Sequence, residues 1–489
     1  MVDFTYATAI ELAAAMAKRE VSSVELTNAA IKQIERYDDR LNAICVCDFE
    51  RALRAARDAD NIRGSGGESA LLGVPITVKE SFNVAGLPTT WGIPPFSNFK
   101  PMEDAVAVLR AKAAGAVVLG KTNVPLGLGD LQTYNDIYGT TNNPWDISRT
   151  PGGSSGGSAA GLAAGYGALS IGSDIAGSLR VPAHFCGVYA HKPTFGLLPG
   201  RGHTPPSVPP LPYERDLAVL GPMARDVKDL TLMLDLLAGP DDLTLGPAYR
   251  LAMPAARHDK LSNYRVLVLD THPLMPIASS VRTAIEELAV EIARLGAKVK
   301  RTSPLLPDQV EAARLYMRLL MSSLSVSMPA EAYEAMRANA ARLDANDLSL
   351  AAERVRGTVM SHRDWIIIDD ARAKLRQRWR EFFREFDVIV CPIAPTPAFP
   401  HDHSVDPWSR SILIDGHDYN YADQLIWAGM ATAPGLPSTA IPLTQSASGL
   451  PIGVQVLGPM HEDRTTLHFS EILEQRFGGF RPPPAINSV

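Results

Sequence analysis

Ser154, Ser155 and Ser158 stand in the run Pro151-Gly152-Gly153-Ser154-Ser155-Gly156-Gly157-Ser158, and Ser173 and Ser178 in Gly172-Ser173-Asp174-Ile175-Ala176-Gly177-Ser178-Leu179-Arg180. Glycine at this density is costly in backbone entropy and belongs where the main chain turns tightly, takes positive φ or approaches a ligand. Serines set in such backbone are candidate nucleophiles, and the chemistry they would serve is acyl transfer. Gly/Ser-rich stretches are often linkers. Here the first runs straight into Ala159, Ala160, Leu162, Ala163 and Ala164, which is buriable helix material, and the second lies between the short apolar strand Ala168-Leu169-Ser170-Ile171 and Val181-Pro182. Both belong to a folded core.

A serine hydroxyl attacks a carbonyl only when a base removes its proton. Gly152-Gly153-Ser154-Ser155-Gly156 fits the G-x-S-x-G pattern of a strand-borne nucleophile with a histidine base. The residues before it, Asn142 to Thr150, read instead as turn and loop, and His184 and His191 follow the serines too closely for that chain order. The other candidate base is a lysine, although most lysines at a strand end are simply solvated. Leu72-Gly73-Val74-Pro75-Ile76-Thr77-Val78-Lys79-Glu80 reads as an apolar strand ending in charge, where a sheet presents side chains to a site at its edge. Lys79 acts as a base only when neutral, so its site must be buried enough to pull its pKa well below about 10.4.

These segments resemble the amidase signature family, whose pattern joins a lysine in V-K-(D/E), a G-G-S-S-G-G-(S/G) loop and an (S/T)-D-x-G-G-S-x-R-x-P segment. The chain supplies Val78-Lys79-Glu80, Gly152 to Ser158 and Ser173 to Pro182 in that order. Further matches are Gly120-Lys121-Thr122-Asn123, Asn142-Asn143-Pro144-Trp145, Lys192-Pro193-Thr194-Phe195-Gly196, Pro434-Gly435-Leu436-Pro437 and Gly449 to Gln455, so the resemblance runs from about Leu72 to Gln455.

The resemblance implies that Ser178 is the acyl-accepting nucleophile, Ser154 a proton relay held through a cis peptide, and Lys79 the ultimate base. A hydroxyl both donates and accepts, so Ser154 suits a relay. By the same analogy the amides of Ile175, Ala176, Gly177 and Ser178 form the oxyanion hole. The chain departs from the family pattern by carrying Ala176-Gly177 where Gly-Gly is usual, which predicts negative φ at Ala176. Asp174 and Arg180 are expected to form an ion pair bracing the turn. Ser155 is expected to hydrogen-bond around Lys79, with Thr150 and Ser173 as further supporting hydroxyls.

Gly115 to Thr122 satisfies G-x-x-x-x-G-K-[ST], yet a phosphate cradle needs strand, loop, then helix. The order here is a helix over Ala105 to Ala114, then an apolar strand over Ala116 to Leu119, with Asn123-Val124-Pro125 opposing a helix at Lys121. Nucleotide hydrolysis is not expected.

The elements that position these residues follow from patterning. Helices are expected over Thr8 to Lys18, Ser22 to Tyr37 (capped by Ser22 or Ser23) and Glu50 to Arg63, forming an N-terminal helical cap, residues 1–67, on a catalytic unit, residues 68–489. Tyr264 to Leu269, Val281 to Leu295 and Ala297 to Arg301 read as β-α-β; helices dominate Pro307 to Phe386; Asp387 to Cys391, Ser438 to Leu443 and Gly453 to Leu457 read as strands. The proline-rich His203 to Pro212 reads as a stiff surface loop bordering the pocket. The expected fold is α/β, a single α/β/α layered domain around a large mixed β-sheet, as in the family the motifs resemble.

The 489 residues carry a net charge of −6 with both signs mixed along the chain, which leaves no basic footprint for nucleic acid. The four cysteines lack metal spacing, and Cys45 and Cys47 alternate along an expected strand. No run approaches the roughly 20 apolar residues of a membrane helix. A cytoplasmic enzyme without cofactor, metal or membrane contact is expected, with a homodimer left open.

By the same resemblance, the expected substrate-pocket residues on the loop after Lys121 are Leu128, Gln132, Tyr134 and Tyr138, with Leu126 beside them and Tyr316, Met317 and Trp427 more remote, pointing to an apolar or aromatic acyl group. Three functions are compatible with the motifs. The leading one is an amidohydrolase of a linear carboxamide or aryl/alkyl amide. The others are the glutaminase (A) subunit of a tRNA-dependent amidotransferase, and a catalytically dead scaffold, which the intact Lys79, Ser154 and Ser178 disfavour.

Overall fold

The computed structural model describes residues 3–404 and 406–484. Its strands in chain order are β1 (Ile44–Cys47), β2 (Pro75–Lys79), β3 (Val117–Thr122), β4 (Tyr134–Asn135), β5 (Gly139–Thr140), β6 (Leu169–Asp174), β7 (Tyr189–Lys192), β8 (Val219–Ala224), β9 (Arg265–Val268), β10 (Lys298–Lys300), β11 (Val388–Pro392), β12 (Ser411–Ile414), β13 (His417–Asn420), β14 (Ser438–Gln445) and β15 (Pro451–Leu457). The pairs β4–β5 and β12–β13 stand apart as small hairpins. The other eleven strands form one mixed sheet in the order β1-β3-β2-β6-β8-β7-β14-β15-β11-β9-β10, with α-helices layered around it as expected.

The centre of the site-bearing half is the parallel trio β3-β2-β6. Parallel neighbours need crossover connections, and helices Val106–Ala113 and Gly156–Ala163 occupy the two crossovers. Every residue of β2, β3 and β6 is buried, which is why these strands read as near-continuous apolar runs. β3 extends through Lys121 to Thr122. The strand-loop-helix order of a phosphate cradle is therefore not formed there.

The N-terminal segment holds helices Ala9–Ala17, Ser23–Leu41 and Phe49–Gly64, and its β1 pairs antiparallel with β3 at the sheet edge, carrying Cys45 and Cys47. Thr8 and Ser22 each accept from the N3 amide while Glu11 and Glu25 accept from the cap amides, closing two reciprocal capping boxes. Asp229, on helix Val227–Leu237, also accepts from the Ala9 and Ile10 amides at 2.6 and 3.1 Å, which ties the first helix to the body of the protein.

Helices Gln309–Ser325, Ala330–Ala340, Leu350–Thr358 and His362–Glu385 fill the expected helical stretch. The proline-rich segment divides in two: Ser207 to Leu211 is exposed, whereas its root, His203, is buried with its ring tilted against Phe82 and Trp91. Among the described residues no helix is long and apolar enough to cross a membrane.

Candidate active site

β2 and β6 run parallel with Val78 opposite Ile171, so Lys79 and the residues just after Ile171 emerge at the same carboxyl edge of the sheet. Lys79 Nζ, fully buried, lies 2.7 Å from Ser154 Oγ and 2.9 Å from Ser173 Oγ. Burial lowers its pKa from 10.5 to about 7, against the opposing charge of Asp174.

Ser154 arrives from the loop before helix Gly156–Ala163. Gly153 has no space for a side chain: a Cβ there would stand 2.6 Å from the Asp130 carbonyl oxygen and 2.7 Å from that of Gln132. The Gly153–Ser154 peptide is cis. Thr133 Oγ1 donates to the Gly152 carbonyl at 2.8 Å and Thr150 Oγ1 accepts from the Gly152 amide at 3.1 Å, pinning the loop from two sides. Ser155 does not bond Lys79. Its amide donates to the Ser178 carbonyl at 3.1 Å and its hydroxyl to the Ser173 carbonyl at 3.3 Å, so it fastens the end of β6 to the Ser178 turn.

That turn is organised by Asp174. Its Oδ1 accepts from the Gly177 amide at 2.9 Å and its Oδ2 from the Leu179 amide at 3.1 Å, while Arg180 grips both oxygens at 2.9 and 3.0 Å. Burial alone would raise this carboxyl, but the Arg180 guanidinium, with Lys192 and the Leu179 amide, holds it at about 2. Arg180 is secured in turn by Ala428 O, Gln455 Oε1 and Thr432 Oγ1. The expected brace is present, and it is bidentate. Gly177 takes φ +95°, while Ala176 keeps φ negative.

The bond to Asp174 corrects one expectation, because the Gly177 N–H is already occupied and is unavailable to an oxyanion. The amides of Ile175, Ala176 and Ser178 have no acceptor among the described residues, so three of the four expected donors remain open. His203 Nε2 lies 3.0 Å from Ser81 Oγ, and burial followed by the Lys79 charge keeps its imidazole well below its ordinary pKa, hence neutral.

Ser178, Ile175 and Ala176 line a cleft whose other walls include Leu128, Leu131, Leu320, Leu324, Trp408 and Leu425. Of the four expected pocket residues, Leu128 lines this cleft and three are engaged elsewhere. Gln132 exchanges two hydrogen bonds with the Asp402 backbone, at 2.7 and 3.0 Å. Tyr134 stacks on His403 with its hydroxyl accepting from Arg410, and the Tyr138 hydroxyl donates to Glu80 at 3.3 Å.

Among the lining residues that sequence reasoning did not reach are Leu320, Leu324, Pro407, Trp408, Tyr421 and Leu425. They come from segments distant in the chain and carry no local motif. Asp130 also reaches the cleft, with Oδ2 held by Arg410 at 2.6 Å and Oδ1 accepting from Tyr421 Oη at 2.7 Å. Among the described residues no cluster of three or more His, Cys, Asp or Glu side chains suits a metal ion.

The amidase family model matches residues 25–467. Fatty-acid amide hydrolase 2-A of Danio rerio is 30% identical over 97% of this chain and 90% of its own length. The A subunit of glutamyl-tRNA(Gln) amidotransferase from Thermus thermophilus is 33% identical over 95% of this chain and 96% of its own. Among solved structures, an inhibitor-bound vestigial complex related to the origins of an s-triazine catabolic enzyme superposes with a TM-score of 0.81 at 27% identity, covering 97% of this chain and 99% of that one. A hydroxyl-lined buried lysine, a serine turn braced by a carboxylate and guanidinium, and a matching model over nearly the whole length converge on one conclusion: the chain belongs to the amidase signature family.

Proposed function

We propose that the protein is an amidohydrolase acting on a linear carboxamide or aryl/alkyl amide with an apolar acyl group, through an acyl-enzyme on Ser178. The observation that carries this reading is Lys79, buried against two hydroxyls with its pKa pulled to about 7, so that near neutral pH much of it is the free amine a base must be.

In the first step, drawn from the family resemblance since among the described residues Lys79 bonds Ser154 but Ser154 does not bond Ser178, Ser178 Oγ bonds to the substrate carbonyl carbon as its proton passes to Ser154, whose own proton moves to Lys79. The carbonyl electrons form an oxyanion received by the amides of Ile175, Ala176 and Ser178. Collapse breaks the C–N bond, and the leaving nitrogen takes the proton back from Lys79 through Ser154. Water then releases the acid by the same relay.

The rival reading, the glutaminase of an amidotransferase, is supported by the amidotransferase relatives. Against it stands the cleft: a free amino acid needs unpaired charges for its ammonium and carboxylate, whereas Asp130 is already satisfied by Arg410 and Tyr421 and the remaining walls are largely apolar. The test is a fluorophosphonate reaction with intact-mass and peptide detection, followed by a substrate screen on the purified chain. A single adduct on Ser178 with turnover of apolar anilides or amides supports the reading. Turnover confined to glutamine, or an adduct elsewhere, overturns it.

A further inference from the structure

Helix Gln309–Ser325 meets the Ser178 turn through one polar contact: Tyr316 Oη donates to the Ile175 carbonyl oxygen at 3.0 Å. Tyr316 is fully buried, and its ring lies so close to Gly429 that a Cβ there would come within 2.4 Å of Cδ1. The ring therefore has no room to swing, and its hydroxyl is a fixed donor. Leu320 and Leu324 follow on the same helix face at four-residue spacing and wall the cleft that Ser178 lines.

The Ile175 carbonyl and the Ala176 N–H belong to one planar trans peptide and point in opposite directions. Whatever fixes the carbonyl thereby fixes the amide. The Ala176 amide has no acceptor among the described residues, and Ala176 lines the cleft beside Ser178. With the Gly177 amide spent on Asp174, the open donors of the turn are few, and the aim of each matters more.

We propose that Tyr316 is a positioning residue for the reaction, its hydroxyl setting the Ile175–Ala176 peptide so that the Ala176 amide is aimed at the developing oxyanion. This rests on the acyl-enzyme reading above. The decisive variant is Tyr316→Phe, which keeps the packed ring and deletes one oxygen. Its kcat on an apolar anilide should fall about 10-fold to 100-fold, less than the loss from deleting a donor outright. KM should stay within about 2-fold, because the ground-state carbonyl draws little on the amide. Affinity for a trifluoromethyl ketone, which places an oxyanion on Ser178, should fall by the same factor as kcat/KM, with an unchanged melting temperature.

A Tyr316→Phe enzyme with wild-type kcat and inhibitor affinity overturns the proposal, as does a loss of kcat that tracks a fallen melting temperature and a raised KM. Fluorophosphonate labelling of the wild type separates the two layers. If wild type is neither labelled at Ser178 nor active, the acyl-enzyme reading fails and takes this proposal with it. If it is labelled and active while Tyr316→Phe behaves identically, only the proposal fails.

Discussion

Lys79 and Lys121 sit on adjacent strands, both fully buried, and keep opposite company. Lys79 Nζ is met by two hydroxyls, Ser154 and Ser173. Lys121 Nζ donates to the Pro88 carbonyl and to Thr89 Oγ1, with the Glu80 carboxylate nearby. Pairing of Val78 with Lys121 puts Lys121 on the face opposite Lys79 and on the same side as Glu80. Burial lowers both lysines, to about 7 for Lys79 and about 8 for Lys121, where the Glu80 charge opposes the shift.

The chemistry of the partners accounts for the different roles proposed for the two lysines. A carbonyl or carboxylate only accepts, so it favours the ammonium and holds its proton in place. A hydroxyl accepts from an ammonium and donates to an amine, so it tolerates both states and lets a proton pass. Glu80 is held by the Thr90 and Trp91 amides at 2.5 and 2.9 Å, which makes the Lys121 side of the strand a strut.

The comparison breaks most visibly at Lys79→Ala. Amide turnover should fall about 10⁴-fold or more while the melting temperature holds or rises, since a lysine that must shed its proton to be buried adds little stability. Matched ester and amide substrates sharpen this, the ester losing less because its leaving group needs less proton help. Equal losses would remove Lys79 from the return of the proton. Lys121→Met should invert the pattern, leaving turnover largely intact while costing about 1–3 kcal/mol in urea unfolding, because the Pro88 carbonyl and Thr89 lose their buried donor. A Lys121→Met enzyme of unchanged stability would show the Lys121 hydrogen bonds to be dispensable.

The pH profile tests the same contrast. Protonation disables Lys79, so kcat/KM on an amide should climb about 10-fold per pH unit at low pH and level off above about 7. In Lys121→Met the midpoint should not move; a shifted midpoint would assign the titration to the wrong lysine. The smallest expected effect belongs to Ser173→Ala. Removing an acceptor from the ammonium lowers the Lys79 pKa, so the midpoint should move to lower pH with a loss in kcat of about 10-fold or less. A midpoint moving upward would contradict the role given to that hydroxyl.

Much of the site was legible because its parts are local. The run ending at Lys79, the strand ending near Ser173 and the glycine loop around Ser154 are each contiguous, and β2, β3 and β6 announce themselves as unbroken apolar strands. The cleft was not legible. Gln132, Tyr134 and Tyr138 occupy the right neighbourhood, but their side chains are claimed by Asp402, His403 with Arg410, and Glu80. Partners as far along the chain as Asp402 is from Gln132 leave no trace in the local pattern. The capture of the Gly177 amide is invisible in the sequence for a related reason, since which N–H a nearby carboxylate takes depends on how a turn closes, and composition does not specify that.

Taken alone, the amino-acid order determined the layered α/β architecture and the family, and singled out the lysine and serines proposed for acyl transfer, because periodicity, glycine demand and motif spacing are properties of short segments. Only the folded chain decided which hydroxyls touch Lys79, which amides stay open in the Ser178 turn and which leucines wall the cleft. Those outcomes depend on the distance and direction between segments brought together by sheet register and helix packing, and at buried positions a small displacement separates a proton relay from a strut.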